Sequence, residues 1–138
     1  MRIFLDANIL FSAAKSEGAM RTFILQLRTA GHTLVVNGYF VGEARRNLEA
    51  KFPHTLQDYE SLLIETESVE KVCAALPEKI APKLPQKDRP VLAAAIHCRC
   101  EILMTGDKTH FGSFYEQNIE GVAIHSPASL ARLLDSNE

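Results

Sequence analysis

Short apolar runs alternate with amphipathic stretches along the whole chain, an alternation that predicts strands and helices in turn. Arg2 to Asp6, carrying Ile3-Phe4-Leu5, reads as a buried strand. Asn8 to Ala14 and Ala19 to Ala30 read as helices parted by Lys15-Ser16-Glu17-Gly18, and Gly31 stops the second. His32 to Val36 is the next strand, broken by Asn37-Gly38. Tyr39 to Phe52 then carries a helical period through Phe40, Ala44 and Leu48 until Pro53 ends it. Thr55 to Glu67 repeats the helical pattern, with Leu56, Tyr59, Leu62 and Leu63 on one face.

Ser68 to Gln86, with Pro77, Pro82 and Pro85, is the least patterned stretch; a short strand over Val69 to Val72 and a loop with a weak helical turn are expected there. Asp88 then stands as a helix N-cap, with Pro90 in the first turn and Val91 to His97 as a compact apolar helix. Ile102 to Thr105 and Gly121 to His125 read as strands, and Ser126-Pro127 opens a final helix reaching Leu134. Strands alternating with helices indicate an α/β fold with a mostly parallel sheet. A chain of 138 residues suits one domain over its whole length.

Composition narrows the class only a little. The 46% hydrophobic and 23% charged residues are ordinary for a globular protein, and 15 basic against 17 acidic residues give a net charge of -2. A field of that sign does not steer phosphates, so any nucleic-acid binding must rest on local cations or bound metal. Met1-Arg2 leads straight into the first strand, unlike a signal peptide, and no apolar run approaches the roughly 20 residues of a membrane span. Cys73, Cys98 and Cys100 make an odd count, so a reduced, cytoplasmic chain is expected. His97, Cys98 and Cys100 could suggest zinc but lack the second ligand pair of a structural site.

Four acids carry the candidate chemistry: Asp6, Glu43, Asp88 and Asp107. Asp6 and Asp107 follow apolar runs, so strands would deliver both to the C-terminal edge of a parallel sheet, where ligands bind. Each acid also has a local explanation: Asp88 as a cap, Asp107 as a turn residue, Glu43 as solvated helix charge. Gathered together, they would suit Mg²⁺ or Mn²⁺, which take oxygen ligands and keep several waters. Asn8 and Thr105 then serve as neutral groups that orient Asp6 and metal-bound waters; otherwise Asn8 caps the first helix and Thr105 is a plain strand residue.

Basic residues flank three of the acids. Arg45 and Arg46 follow Glu43, Lys87 and Arg89 bracket Asp88, and Lys108 follows Asp107, a ring suited to gripping phosphates unless these are solvated ion-pair partners. His110, three residues after Asp107, is the histidine placed to touch substrate; the alternative packs it on Phe111 or Phe114.

The segments Ile3-Phe4-Leu5-Asp6-Ala7-Asn8, helical Glu43, Lys87-Asp88-Arg89-Pro90 through Ile96, and Leu103-Met104-Thr105-Gly106-Asp107-Lys108 together resemble the PIN-domain ribonuclease family. The tail from Thr109-His110-Phe111-Gly112 to Ser126-Pro127-Ala128 is similar to a bacterial, VapC-like branch of toxins from toxin–antitoxin pairs. The resemblance runs nearly end to end. It implies an α/β/α sandwich with a five-stranded sheet of order 3-2-1-4-5 and a four-acid site on Asp6, Glu43, Asp88 and Asp107, with Asn8 and Thr105 in support. It also implies Mg²⁺ or Mn²⁺ dependence, cleavage of single-stranded RNA and, frequently, a homodimer, whereas toxicity and a small antitoxin partner vary within the family. The stripes Leu56, Tyr59, Leu62, Leu63 and Phe23, Leu27 are the candidate dimer surfaces.

Two other classes compete. A degenerate PIN fold could act as a binding module, which the intact acid set disfavours. A phosphoacceptor receiver domain wants adjacent acids after the first strand and a lysine after the last, whereas this chain has Asp6 alone and His125-Ser126-Pro127. No Gly-x-Gly-x-x-Gly follows the first strand, which sets aside a dinucleotide-binding oxidoreductase.

Overall fold

A computed structural model of the chain describes residues 1–69, 76, 79 and 81–136. Its first half comprises β1 (Arg2–Leu5), α1 (Ala7–Lys15), α2 (Ala19–Thr29), β2 (Thr33–Asn37), α3 (Gly38–Lys51), α4 (Leu56–Leu63) and β3 (Glu67–Val69). The second comprises α5 (Arg89–His97), β4 (Ile102–Met104), α6 (Lys108–Phe111), β5 (Asn118–Ile119), β6 (Val122–His125) and α7 (Pro127–Ser136). The sheet runs β3-β2-β1-β4-β6-β5. All neighbours are parallel except β5 and β6. Its five parallel strands follow the expected 3-2-1-4-5 order, with β6 as the fifth.

The sixth strand is the addition. β5 pairs antiparallel with β6 across the two-residue loop Glu120-Gly121, whose φ values of 52° and 90° are those of a type I′ hairpin. Two residues carry no periodicity, so β5 left no trace in the hydrophobic pattern. Gly121 accordingly belongs to the turn and not to the strand predicted from it.

Both sheet faces are covered, which is why the strands read as continuous apolar runs. Ile3, Leu5, Leu34, Val36, Ile102 and Met104 join residues of α1, α2, α3, α4 and α7 in one core. Phe4, Val35 and Leu103 point the other way, into a second core with Phe40, residues of α5, Phe111 and Phe114. The layers form the α/β/α sandwich. α2 closes as expected at Gly31, whose φ of 91° lets the amides of Gly31 and His32 reach the carbonyls of Arg28 and Leu27 at 2.9 and 3.1 Å. At α7, Ser126 Oγ accepts from the Ser129 amide at 3.0 Å, and Ser129 Oγ accepts from the Ser126 amide at 2.9 Å, a reciprocal cap.

Two expectations need correction, and a third falls partly outside the described residues. The helix predicted over Thr55 to Glu67 is a 3₁₀ turn at Pro53–Thr55 followed by α4, which stops at Leu63. There the Thr66 amide and hydroxyl both donate to the Leu63 carbonyl, at 3.0 and 2.8 Å, and Glu67 turns into β3 beside Val35. Of the strand expected over Val69 to Val72, Val69 closes β3 while 70–72 lie outside the described residues, as does Cys73. The proposed dimer stripes are largely internal: Leu27, Tyr59 and Leu62 are buried, and Phe23, Leu56 and Leu63 pack against the same core. An amphipathic stripe looks the same whether its partner is the chain's own sheet or another molecule. Among the described residues, no helix is long and apolar enough to cross a membrane.

Phe4 ties β1 to the second core. Its fully buried ring meets Phe40 edge-on with centroids 6.5 Å apart. Phe4→Ala should cost about 3–5 kcal/mol, read as a lowered urea midpoint at unchanged slope. A loss below about 1 kcal/mol would mean the central strand is not anchored there.

Candidate functional site

The parallel pairing of β1 with β4, in register Leu5 with Met104, sets Asp6 beside Thr105. The Asp6 amide donates to the Met104 carbonyl at 3.1 Å, and the Thr105 amide to the His125 carbonyl at 3.0 Å. Asp6 is also the N-cap of α1: its Oδ1 accepts from the Ala7 amide at 2.7 Å. Asn8, which could have been that cap, lies inside α1. Asp6 Oδ2 accepts from Thr105 Oγ1 at 2.8 Å and from Asn8 Nδ2 at 3.2 Å.

Thr105 and Asn8 also fix the loop after β4. Thr105 Oγ1 accepts from the Asp107 amide at 3.1 Å, and Asn8 Oδ1 accepts from the Gly106 amide at 2.9 Å. A Cβ at position 106 would stand 3.3 Å from Asn8 Oδ1, so glycine permits this close approach. Asp107 Oδ1 caps α6 by accepting from the His110 amide at 3.1 Å. The Tyr115 hydroxyl donates to the Thr105 carbonyl at 3.1 Å, and burial, then Asp107 and Asp6, push its pKa up.

Asp88 occupies the N-cap position of α5 without capping it, as its side chain accepts no helix amide. Its Oδ2 instead lies 2.7 Å from His110 Nδ1, and the same nitrogen lies 2.8 Å from Asp107 Oδ2. Close as these contacts are, neither Asp88 Oδ2 nor His110 Nδ1 makes a hydrogen bond. The donor direction of the ring therefore misses the carboxylates it touches.

Asp6, Asn8, Glu43, Lys87, Asp88 and Asp107 all line one cleft of about 750 Å³. Thr105 sits fully buried beside it. Burial lifts the Asp6 carboxyl above the usual carboxylate range; hydrogen bonds from Thr105 and Ala7 pull it back, and the charges of Asp88 and Asp107 push it up again. The remaining cations go elsewhere. Arg45 binds Glu60 Oε1 through Nε at 3.0 Å and Nη2 at 2.7 Å and lies over the Tyr59 ring. Arg89 Nε donates to the Leu84 carbonyl at 3.1 Å, and Arg46 and Lys108 are exposed outside the cleft lining.

Several lining residues escaped sequence reasoning, among them Tyr39, Asn47 and Lys51. With Glu43 these three recur every fourth residue along α3, so one helix face turns toward the cleft. The spacing was there to be read, but a polar helix stripe usually means nothing more than a solvated face. Tyr39 is 66% exposed at the cleft wall, beside Phe40. His97, Cys98 and Cys100 form no ligand cluster among the described residues, and burial drives the Cys100 thiol up to about 12, away from the thiolate a metal needs.

A scan of protein-family models found no match to the chain, and a search of curated proteins found none either. Among solved structures the chain is similar to VapBC2 from Rickettsia felis, determined bound to a DNA fragment from their promoter. That likeness has a TM-score of 0.69 and covers 91% of this chain and 98% of that chain at 15% identity. At such identity it is the fold that is shared: the chain has a VapC-like PIN fold.

Asp6 gives the site a pH signature. Its folded pKa is raised, so its protonated form fits the fold best, and the stability this confers is lost as pH climbs through the raised value. In the metal-free protein, the stability of Asp6→Asn relative to wild type should therefore grow from about pH 4 upward and then level off. A difference that stays flat between pH 4 and 8 would show that Asp6 titrates as an ordinary surface acid.

Proposed function

We propose that this chain is a metal-dependent endoribonuclease that hydrolyses phosphodiester bonds of single-stranded RNA. The observation that carries the reading is the convergence of Asp6, Glu43, Asp88 and Asp107, from four separate segments, on one cleft at the C-terminal edge of the central strands. Acids so gathered repel one another, and Asp88 Oδ2 is buried without a donor. Oxygen donors left in that state fit Mg²⁺ or Mn²⁺.

Asp88 and Asp107 would hold the metal together with Asp6, while Glu43, across the cleft on α3, would hold a second ion or orient the attacking water. When bound, such an ion polarises the phosphoryl oxygen and lowers the pKa of water. Asp6 is fixed by Ala7, Thr105 and Asn8, so it needs little reorganisation to act. Lys51 and Lys87 on the cleft walls supply the local positive charge that a chain of net charge -2 otherwise lacks. The exposed ring of Tyr39 offers a base a stacking surface, which an unpaired strand can use and a duplex cannot.

By fold we also read the chain as a single-domain cytoplasmic toxin of a toxin–antitoxin pair, with a small antitoxin as partner and a homodimer as its assembly. The shared fold with VapBC2 supports this placement. A degenerate binding module is the second reading, and the unpartnered Asp88 oxygen speaks against it.

Asp88→Asn, Asp107→Asn and Glu43→Gln should each lower Mn²⁺-dependent cleavage of single-stranded RNA by about 100-fold or more. The metal-free melting temperature should hold or rise, because like-charge repulsion is relieved. Full activity in all three would show that these acids are not the catalytic site, whereas no metal-dependent cleavage by the wild-type protein would leave only the binding module. A separate test concerns the cations: with the inactive Asp88→Asn protein, RNA affinity should fall with salt, and adding Lys51→Ala and Lys87→Ala together should flatten the log–log slope by about 1.4, at about 0.7 per phosphate contact. An unchanged slope would put the RNA path outside this cleft.

A further inference from the structure

His110 belongs to the cluster, yet the four-acid reading gives it no work. Its Nδ1 lies between Asp88 Oδ2 at 2.7 Å and Asp107 Oδ2 at 2.8 Å and bonds to neither. A single ring N–H points one way and could serve only one carboxylate, so an ordinary histidine ion pair would show one directed bond. Asp88, moreover, is only 9% exposed and its Oδ2 has no donor, a costly state for a buried oxygen. These three atoms, all within 4.8 Å of one another, call for something they can face together.

An ion meets that demand. In an octahedral shell with bonds of about 2.1 Å, neighbouring ligands stand about 3 Å apart and each lies off the lone-pair axis of the next. Short contacts between potential ligand atoms that are misdirected as hydrogen bonds match the edges of such a shell. Local structure delivers the nitrogen: His110 is three residues after Asp107, and its amide is tied to Asp107 Oδ1 at 3.1 Å, so both side chains rise from the same turn.

We propose that His110 Nδ1 is a nitrogen ligand of the metal, alongside Asp88 and Asp107, and that this nitrogen makes the site prefer Mn²⁺ to Mg²⁺. The proposal rests on the metal-nuclease reading. Mg²⁺ demands hard oxygen donors and gives up water reluctantly, whereas imidazole suits transition metals, and affinity for a nitrogen site rises from Mn²⁺ onward in their series. His110 thereby becomes a selectivity element and not a contact to RNA phosphate.

Pulsed electron paramagnetic resonance of Mn²⁺ added alone to the wild-type protein tests this without RNA or turnover. A directly bound ¹⁴N coupling is expected, converted to the ¹⁵N pattern when histidine is ¹⁵N-labelled and absent in His110→Ala. In the same variant, the Mn²⁺ dissociation constant should rise about tenfold or more, and that for Mg²⁺ less than about twofold. The labelled wild-type spectrum does not depend on the variant folding. Mn²⁺ bound without nitrogen coupling overturns the His110 assignment and leaves a carboxylate metal site standing. Failure of the wild-type protein to bind Mn²⁺ any better than Asp88→Asn overturns both.

Discussion

Everything at the site depends on the parallel register between β1 and β4. Pairing Leu5 with Met104 puts the Asp6 carboxylate within 2.8 Å of the Thr105 hydroxyl, and that hydroxyl in turn holds the Asp107 amide. A slip of one residue would send Leu5 and Phe4 to each other's face and break both cores together. The apolar alternation of the central strand therefore specifies the placement of the acids as firmly as it specifies the core.

Burying acids so close together works against stability, and the fold offsets this locally. Asp6 is surrounded by donors, and Asp107 caps α6. Asp88 Oδ2, in contact with His110 Nδ1, accepts no hydrogen bond. Asn8 and Thr105, the residues that hold Asp6, also stiffen the loop after β4 through the amides of Gly106 and Asp107. Order behind the acids and unmet demand in front of them are two aspects of one hydrogen-bond arrangement.

Much of this was legible in the sequence, for physical reasons that differ by element. Buried strands such as Ile3-Phe4-Leu5 and Ile102-Leu103-Met104 announce themselves because both of their faces are covered. β3 announced itself only at its last residue, Val69, because the exposed Glu67 and Ser68 of an edge strand have no apolar pattern and the continuing helical period upstream outweighed them. Asp88 was ambiguous because an N-cap position and a cleft position demand the same residue; only the missing cap bond separates them. Lys51 and Asn47 were hidden in plain periodicity along α3, while the meeting of His110 with Asp88 across 22 positions of chain is tertiary and leaves no local mark. Of the basic residues that flank the acids, Lys87 lines the cleft while Arg45 pairs with Glu60, because sequence neighbours of an acid on a helix point to different faces.

Because Asp6 and Glu43 lie in the first half of the chain and Asp88 and Asp107 in the second, no amino-terminal fragment that stops short of Asp107 can gather the four acids. A chain growing on the ribosome exposes its first two acids while β4 is still unmade, and Asp6 then has neither Thr105 beside it nor a strand against which to align. The cleft is complete only after residues 102–107 have left the exit tunnel and docked on β1.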